Sequence, residues 1–253
     1  RQINAEEFDF GWEPGLDASA SHVAFDNSSF EVRFLGLRQF TANQFVETDG
    51  SEVRFDANPD VFAPNVQSID SRYTSDLYSL ELNWHYVTYC PFNYIAGFRY
   101  IGLDEDIGAV LDAAPQTFRY RTETNNDLYG IQLGVESAPD MPLFGWHCLS
   151  WYGKVGIYGN DTRQRTILDT TTRGQIVSES PDTSAFLWEF GVGLDLPITS
   201  CFTIQGGYGA MIFERVTIGS DQLRHIDFIN AAGSDNRGTA MYHGANLAIV
   251  YRR

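Results

Sequence analysis

The chain has 253 residues, with 17 Lys and Arg against 33 Asp and Glu for a formal charge of −16, a balance that repels phosphate and argues against nucleic acid as a partner. Hydrophobic residues make up 43% of it, yet they nowhere gather into the ~20-residue run of a membrane-spanning helix, so any crossing must be made by strands. No charged-then-apolar leader follows Arg1, and a targeting signal, if one exists, lies outside this sequence.

Alternation predicts about nine strands, near residues 16–22, 30–40, 77–86, 92–104, 128–136, 149–160, 185–196, 202–215 and 241–251. In the second, Glu31 and Arg33 share a face. The third is the clearest: Tyr78, Leu80, Leu82, Trp84 and Tyr86 point one way, and Ser79, Glu81, Asn83 and His85 point the other. In the fourth, Phe92, Tyr94, Ala96, Phe98 and Tyr100 oppose Asn93, Gly97 and Arg99. The fifth sets Tyr129, Ile131, Leu133 and Val135 against Gln132, Gly134 and Glu136. The sixth sets Trp151, Val155 and Ile157 against Tyr152, Lys154 and Asn160. The seventh sets Phe186, Trp188, Phe190, Val192 and Leu194 against Glu189, Gly191, Gly193 and Asp195; Gln205 and Asn246 extend the polar set onto the last two strands.

Strands of this length, ~9–11 residues against roughly 5–6 in soluble sheets, suit a tilted crossing of a bilayer. Their connections alternate between short segments (AFDNSS, VTYCPF, PITSC, and the longer APDMPLFGWHC) and long ones near 41–75, 107–126, 161–184 and 217–239. The expectation is an all-β fold, a single transmembrane antiparallel outer-membrane β-barrel of about ten strands over 1–253, with short periplasmic turns and long extracellular loops. The polar face then lines the lumen and the apolar face meets outer-membrane lipid, because a soluble barrel would have to bury all those charges. A soluble β-sandwich is the rival, since alternation alone does not separate the two. The count of nine is odd where bacterial barrels are even: either a short strand around 8–12 closes the sheet, or the closing strand lies upstream.

The strings YSLELNWHY, FNYIAGFRYIGLDEDI, NNDLYGIQLGVE, GKVGIYGN and YHGANLAIVYRR, with FDFGWEPG near the amino end, resemble the β-barrel porin-7 family of outer-membrane proteins typical of planctomycete bacteria. They are more distantly similar to the Legionella-type pore-forming major outer-membrane protein family. The resemblance implies a Gram-negative outer-membrane location, a further strand ahead of FDFGWEPG and porin-like activity, without a substrate.

Chemistry is sparse. Cys90, Cys148 and Cys201 fall at the short-turn rim without zinc-ligand spacing; a disulfide between Cys148 and Cys201 is one expectation, three plain turn residues the other. His225 with Asp221 and Asp227 could activate water, though acid and His in an acidic loop arise readily by chance. No catalytic motif, cofactor or metal site is expected. Folding residue 86 back near 92 sets Ser79 opposite Arg99 and Glu81 on the diagonal, a lumen pair that braces a hairpin. The functional expectation is a narrow porin for small solutes or ions. The alternative is a structural envelope barrel with a filled interior that binds neighbouring envelope proteins, and an outer-membrane enzyme comes third.

Overall fold

A computed structural model describes residues 10–25, 27–55, 58–88, 90–138, 148–169, 174–180, 182–225, 235 and 237–251. In chain order the elements are β1 (Gly15–Phe25), β2 (Ser28–Phe55), β3 (Asn58–Tyr86), β4 (Phe92–Ala113), β5 (Gln116–Ser137), β6 (Leu149–Asp169), β7 (Gly174–Glu179), β8 (Asp182–Pro197), β9 (Phe202–Val216), α1 (Gly219–His225) and β10 (Gly238–Tyr251). All pairings are antiparallel and form one sheet with the path β1-β2-β3-β4-β5-β6-β8-β9-β10, β7 pairing with β6 above β8. The protein is all-β in its main body.

The sheet curls until distant strands touch across its concave side. Arg33 on β2 reaches Glu189 on β8 at 3.0 Å, and Ser75 on β3 meets the Tyr242 hydroxyl of β10 at 2.6 Å. Among the described residues, β1 pairs only with β2 and β10 only with β9, so the path ends in two edges. Residues 10–14, which include part of the short strand expected around 8–12, are not strand; the rest of that stretch lies outside the described residues.

The nine expected strands coincide with the nine on the path, but three of the expected long loops are strand as well. β2 and β3 run for 28 and 29 residues, carrying the ladder through 41–75. β4, β5 and β6 do the same through 107–126 and into 161–169. The alternation persists there with reversed chemistry: Ile69, Tyr73 and Leu77 are buried on the inside, while Arg72 is exposed outside beside half-exposed Thr74 and Asp76. Polar outward residues made these segments read as loops.

Two irregularities re-aim side chains. A break in register between Leu37 and Phe40 moves the inward set of β2 from odd to even positions, so that Ala42 is buried. At the end of β9, Arg215 has φ of 63°, and the register with β10 shifts beside it. This bulge turns Arg215 outward and buries Val216, where unbroken alternation along 202–215 would aim Arg215 inward to narrow the lumen.

Candidate functional site: a filled interior behind an apolar belt

The lower third of the concave side, nearest the short turns, holds a network of buried charge. Glu81 and Arg99 are direct partners in the β3–β4 ladder, not diagonal neighbours as expected. The connection is longer by one residue on each side, pairing Tyr86 with Tyr94. Thr88 fixes it: its N–H donates to Asn93 Oδ1 at 3.2 Å and its hydroxyl to the Phe92 carbonyl at 2.5 Å. Arg99 Nε donates to Ser79 Oγ at 2.7 Å, and its Nη1 lies 3.5 Å from Glu81 Oε1 and closer still to Glu189 Oε2. Lys154 Nζ donates to Glu81 Oε2 at 2.8 Å and lies 3.3 Å from Glu189 Oε2. Arg33 spans Glu189 at 3.0 Å and Asp17 of β1 at 2.7 Å. Three cations thus face three carboxylates.

Amides complete the network. Gln132 Nε2 donates to Glu81 Oε2 and Asn83 Oδ1, both at 2.7 Å, and Asn83 Nδ2 to Glu81 at 2.9 Å and Glu31 at 3.1 Å. His85 Nδ1 is 2.9 Å from Glu136 Oε1. A carboxylate away from water requires this many donors. Arg99 is 0% exposed and Glu81 1%.

Above it the interior is apolar. Leu77, Ile101, Leu103, Leu128, Tyr158, Ala185, Leu187, Met211 and Phe213 form one buried cluster, with Leu35, Leu37 and Tyr242 packed against it. The stretch after β9 then folds inward as a plug: Val216, Thr217, Ile218 and Gly219 are buried. The Asn126 side chain donates to the Thr217 carbonyl at 2.8 Å and accepts from the Thr217 N–H at 2.9 Å. Glu105 accepts the Gly219 N–H at 2.9 Å. Burial pushes the Glu105 carboxyl up to about 7, with Asp221 adding to the rise, while Gly219 N–H and the Tyr73 hydroxyl oppose it.

The convex side carries the reverse chemistry. Leu80, Leu82, Trp84, Phe98, Trp188 and Phe190 are exposed, and Tyr78 somewhat less; Tyr100 and Phe186 are half-exposed. The neighbouring strands continue the surface with Ile131, Leu133, Val155, Ile157 and Val192. Tyr78, Tyr100 and Tyr129 mark its upper border, where the Tyr100 hydroxyl donates to Asp127 at 2.5 Å. Trp84, Tyr86, Tyr94, Phe202 and Tyr251 lie toward the lower border, the last two with ring centroids 5.0 Å apart. From 78 to 86, at ~3.3 Å per residue and a tilt of ~40°, the belt stands roughly 20 Å tall, close to the ~25 Å band of membrane barrels. Above it the outward residues turn ionic, as with Arg121 on Asp106 and Glu123 and Arg163 on Asp161.

The structure therefore brings Glu31, Arg33, Ser79, Glu81, Asn83, His85, Arg99, Gln132, Glu136, Lys154 and Glu189 onto one concave surface. Gln205 joins it lower down, donating to Asp195 at 2.8 Å and Ser150 at 3.2 Å. Asn246, on the edge strand β10, is inward by register yet exposed. Sequence reasoning missed Glu105, Asn126 and the plug; inward parity within 104–126 was the available signal for the first two. Among the described residues no group of His, Cys, Asp or Glu could hold a metal. The cysteines are free and exposed, so the Cys148–Cys201 disulfide is not formed. Of the suggested water-activating cluster, Asp227 and the His225 side chain lie outside the described residues. Comparisons with family models, curated proteins and solved structures found no match.

Proposed function

We propose that the chain is an outer-membrane β-barrel protein with a filled interior, acting as a structural anchor of the cell envelope. The observation that carries this reading is the inversion of the sheet: bulky apolar side chains exposed on the convex face, ionised ones buried on the concave face. Water on the convex side would leave an apolar surface far larger than soluble proteins expose, whereas lipid there removes the difficulty. Membership of the β-barrel porin-7 family, to which the sequence strings point, is part of this proposal. The packed layers of Arg99, Tyr158, Leu77 and Phe213, all at most 1% exposed, favour a scaffold over a conduit.

Spin labels test the membrane part. Labels at Leu80 and Leu82 should be quenched by lipid-soluble oxygen, and one at Arg163, which sits above the belt, by a water-soluble reagent; water access at all three would mean that the belt does not meet lipid and overturns the reading, while labels at Leu80 and Leu82 shielded from both reagents return the soluble sandwich. A narrow porin is the second reading, favoured by the inward Gly244, where a Cβ would meet nothing within 4 Å, though at inward Gly191, Gly193 and Gly207 the space is already taken by Tyr152, Ser150 and Asn246. Planar-bilayer recordings separate the two. A silent membrane fits the scaffold, and regular single-channel steps fit the porin.

A further inference from the structure

Above the ionic network the concave side changes character. Among the described residues, the inward side chains of β3 to β6 above Arg99 and Lys154 include one carboxylate, Glu105, and no Lys or Arg. Glu105 lies in a cross-strand row with Thr124 and Gln164, each the ladder partner of the next, and all three are at most 6% exposed. Gln164 Nε2 donates to Thr166 Oγ1 at 3.2 Å. Its Oε1, like Thr124 Oγ1, is buried without a hydrogen-bond partner.

The plug adds a third such oxygen. Thr217 is 0% exposed and its Oγ1 has no partner, although the Asn126 side chain holds both its backbone N–H and its carbonyl. Asn126 is the next inward residue below Thr124 on β5, and two residues past Thr217 the Gly219 N–H donates to Glu105 Oε2. The Thr217 hydroxyl is therefore held beside the row. Directly opposed Cβ atoms stand about 4.5–5.5 Å apart, so the short Thr124 is flanked by two long side chains whose carboxylate and amide oxygens reach over it.

Charge decides what fits among these oxygens. Buried acceptors need a positive partner. Glu81 has cations for this purpose, whereas Glu105 receives two neutral donors, the Gly219 N–H and the Tyr73 hydroxyl, and the Asp221 carboxylate of the plug opposes its ionisation. Zinc prefers nitrogen and sulfur ligands, and calcium commonly gathers several carboxylates. One carboxylate with three neutral oxygens balances a single positive charge. We propose that Glu105, Thr124 and Gln164 on the wall and Thr217 on the plug bind one dehydrated alkali-metal cation, which fastens the plug to the wall. The inference goes beyond the scaffold reading and holds whether or not the belt meets lipid.

The test takes the full chain, folded in detergent at about pH 8, and compares NaCl and KCl with choline chloride at one ionic strength. An alkali salt should raise the thermal midpoint saturably, by about 3–5 °C at ten times the half-saturating concentration, and should slow amide exchange at 216–219. Thr124→Val, which keeps the branched shape and deletes the hydroxyl, should lose most of this response, and Thr124→Ser should keep it. Should Thr124→Val fail to fold, Glu105→Gln carries the same comparison. Equal midpoints and equal exchange in all three salts overturn the inference and leave water as the partner of these oxygens. So does an alkali response that Thr124→Val or Glu105→Gln retains in full, which would place the ion elsewhere.

Discussion

Arg99 sits where every neighbour needs it. It is the shared cation between Glu81 and Glu189, so Arg99→Met would leave those carboxylates with only Lys154 and Arg33 as cationic partners, away from water. A loss of about 3–5 kcal/mol is expected for breaking a buried network of this kind. Because Glu189 makes the closer contact, the double variant Arg99→Met, Glu189→Gln should recover more stability than Arg99→Met, Glu81→Gln. Heat-modifiable gel mobility across urea concentrations reads both cycles, and equal, additive losses would mean the side chains do not act together. Glu105, above the belt, gives a pH-dependent counterpart. Its folded value of about 7 lies above the ordinary 4.5, so the folded chain holds the proton more tightly. The stabilisation is full below about 4.5 and is lost as pH rises to about 7, a span worth about 3 kcal/mol. Glu105→Gln should remove that slope, leaving stability flat over the interval in urea titrations at each pH.

At the level of elements, strand identity was legible wherever apolar residues faced outward, because a strand with an apolar outer face shows its large side chains at every second position, as from Tyr78 to Tyr86. It was illegible where the same strands rise past the belt. There the outward side holds Asp70, Arg72, Thr74 and Asp76, residues that in sequence are indistinguishable from a solvated loop, and only the inward Ile69 and Tyr73 carry the period. The Glu81–Arg99 partnership was visible as a face and wrong in register, since the Thr88 hydrogen bonds that lengthen the turn depend on side-chain geometry. Arg215 was missed for a similar reason: a bulge changes parity without leaving a compositional mark. Its left-handed backbone is one that glycine adopts without steric penalty. Arg215→Gly should therefore be neutral or raise stability by up to ~1 kcal/mol, while the β-branched Arg215→Val should lower it by about as much, as urea midpoints would report.

For the whole molecule, the order of the sheet has a kinetic consequence. Each strand on the path pairs with its neighbour in sequence, apart from the small detour through β7, so the ladder can grow hairpin by hairpin with modest loop-closure penalties. The contacts that curl it shut are of another kind: Arg33 with Glu189 spans 156 residues and Ser75 with Tyr242 spans 167. Such contacts form only after the intervening strands are in place, on the native side of the main barrier. Tyr242→Phe, which removes the hydroxyl meeting Ser75, should then leave the rate of folding nearly unchanged and speed unfolding severalfold. The curled state would be held by a late clasp, and the lifetime of the folded protein would be set by how often that clasp lets go.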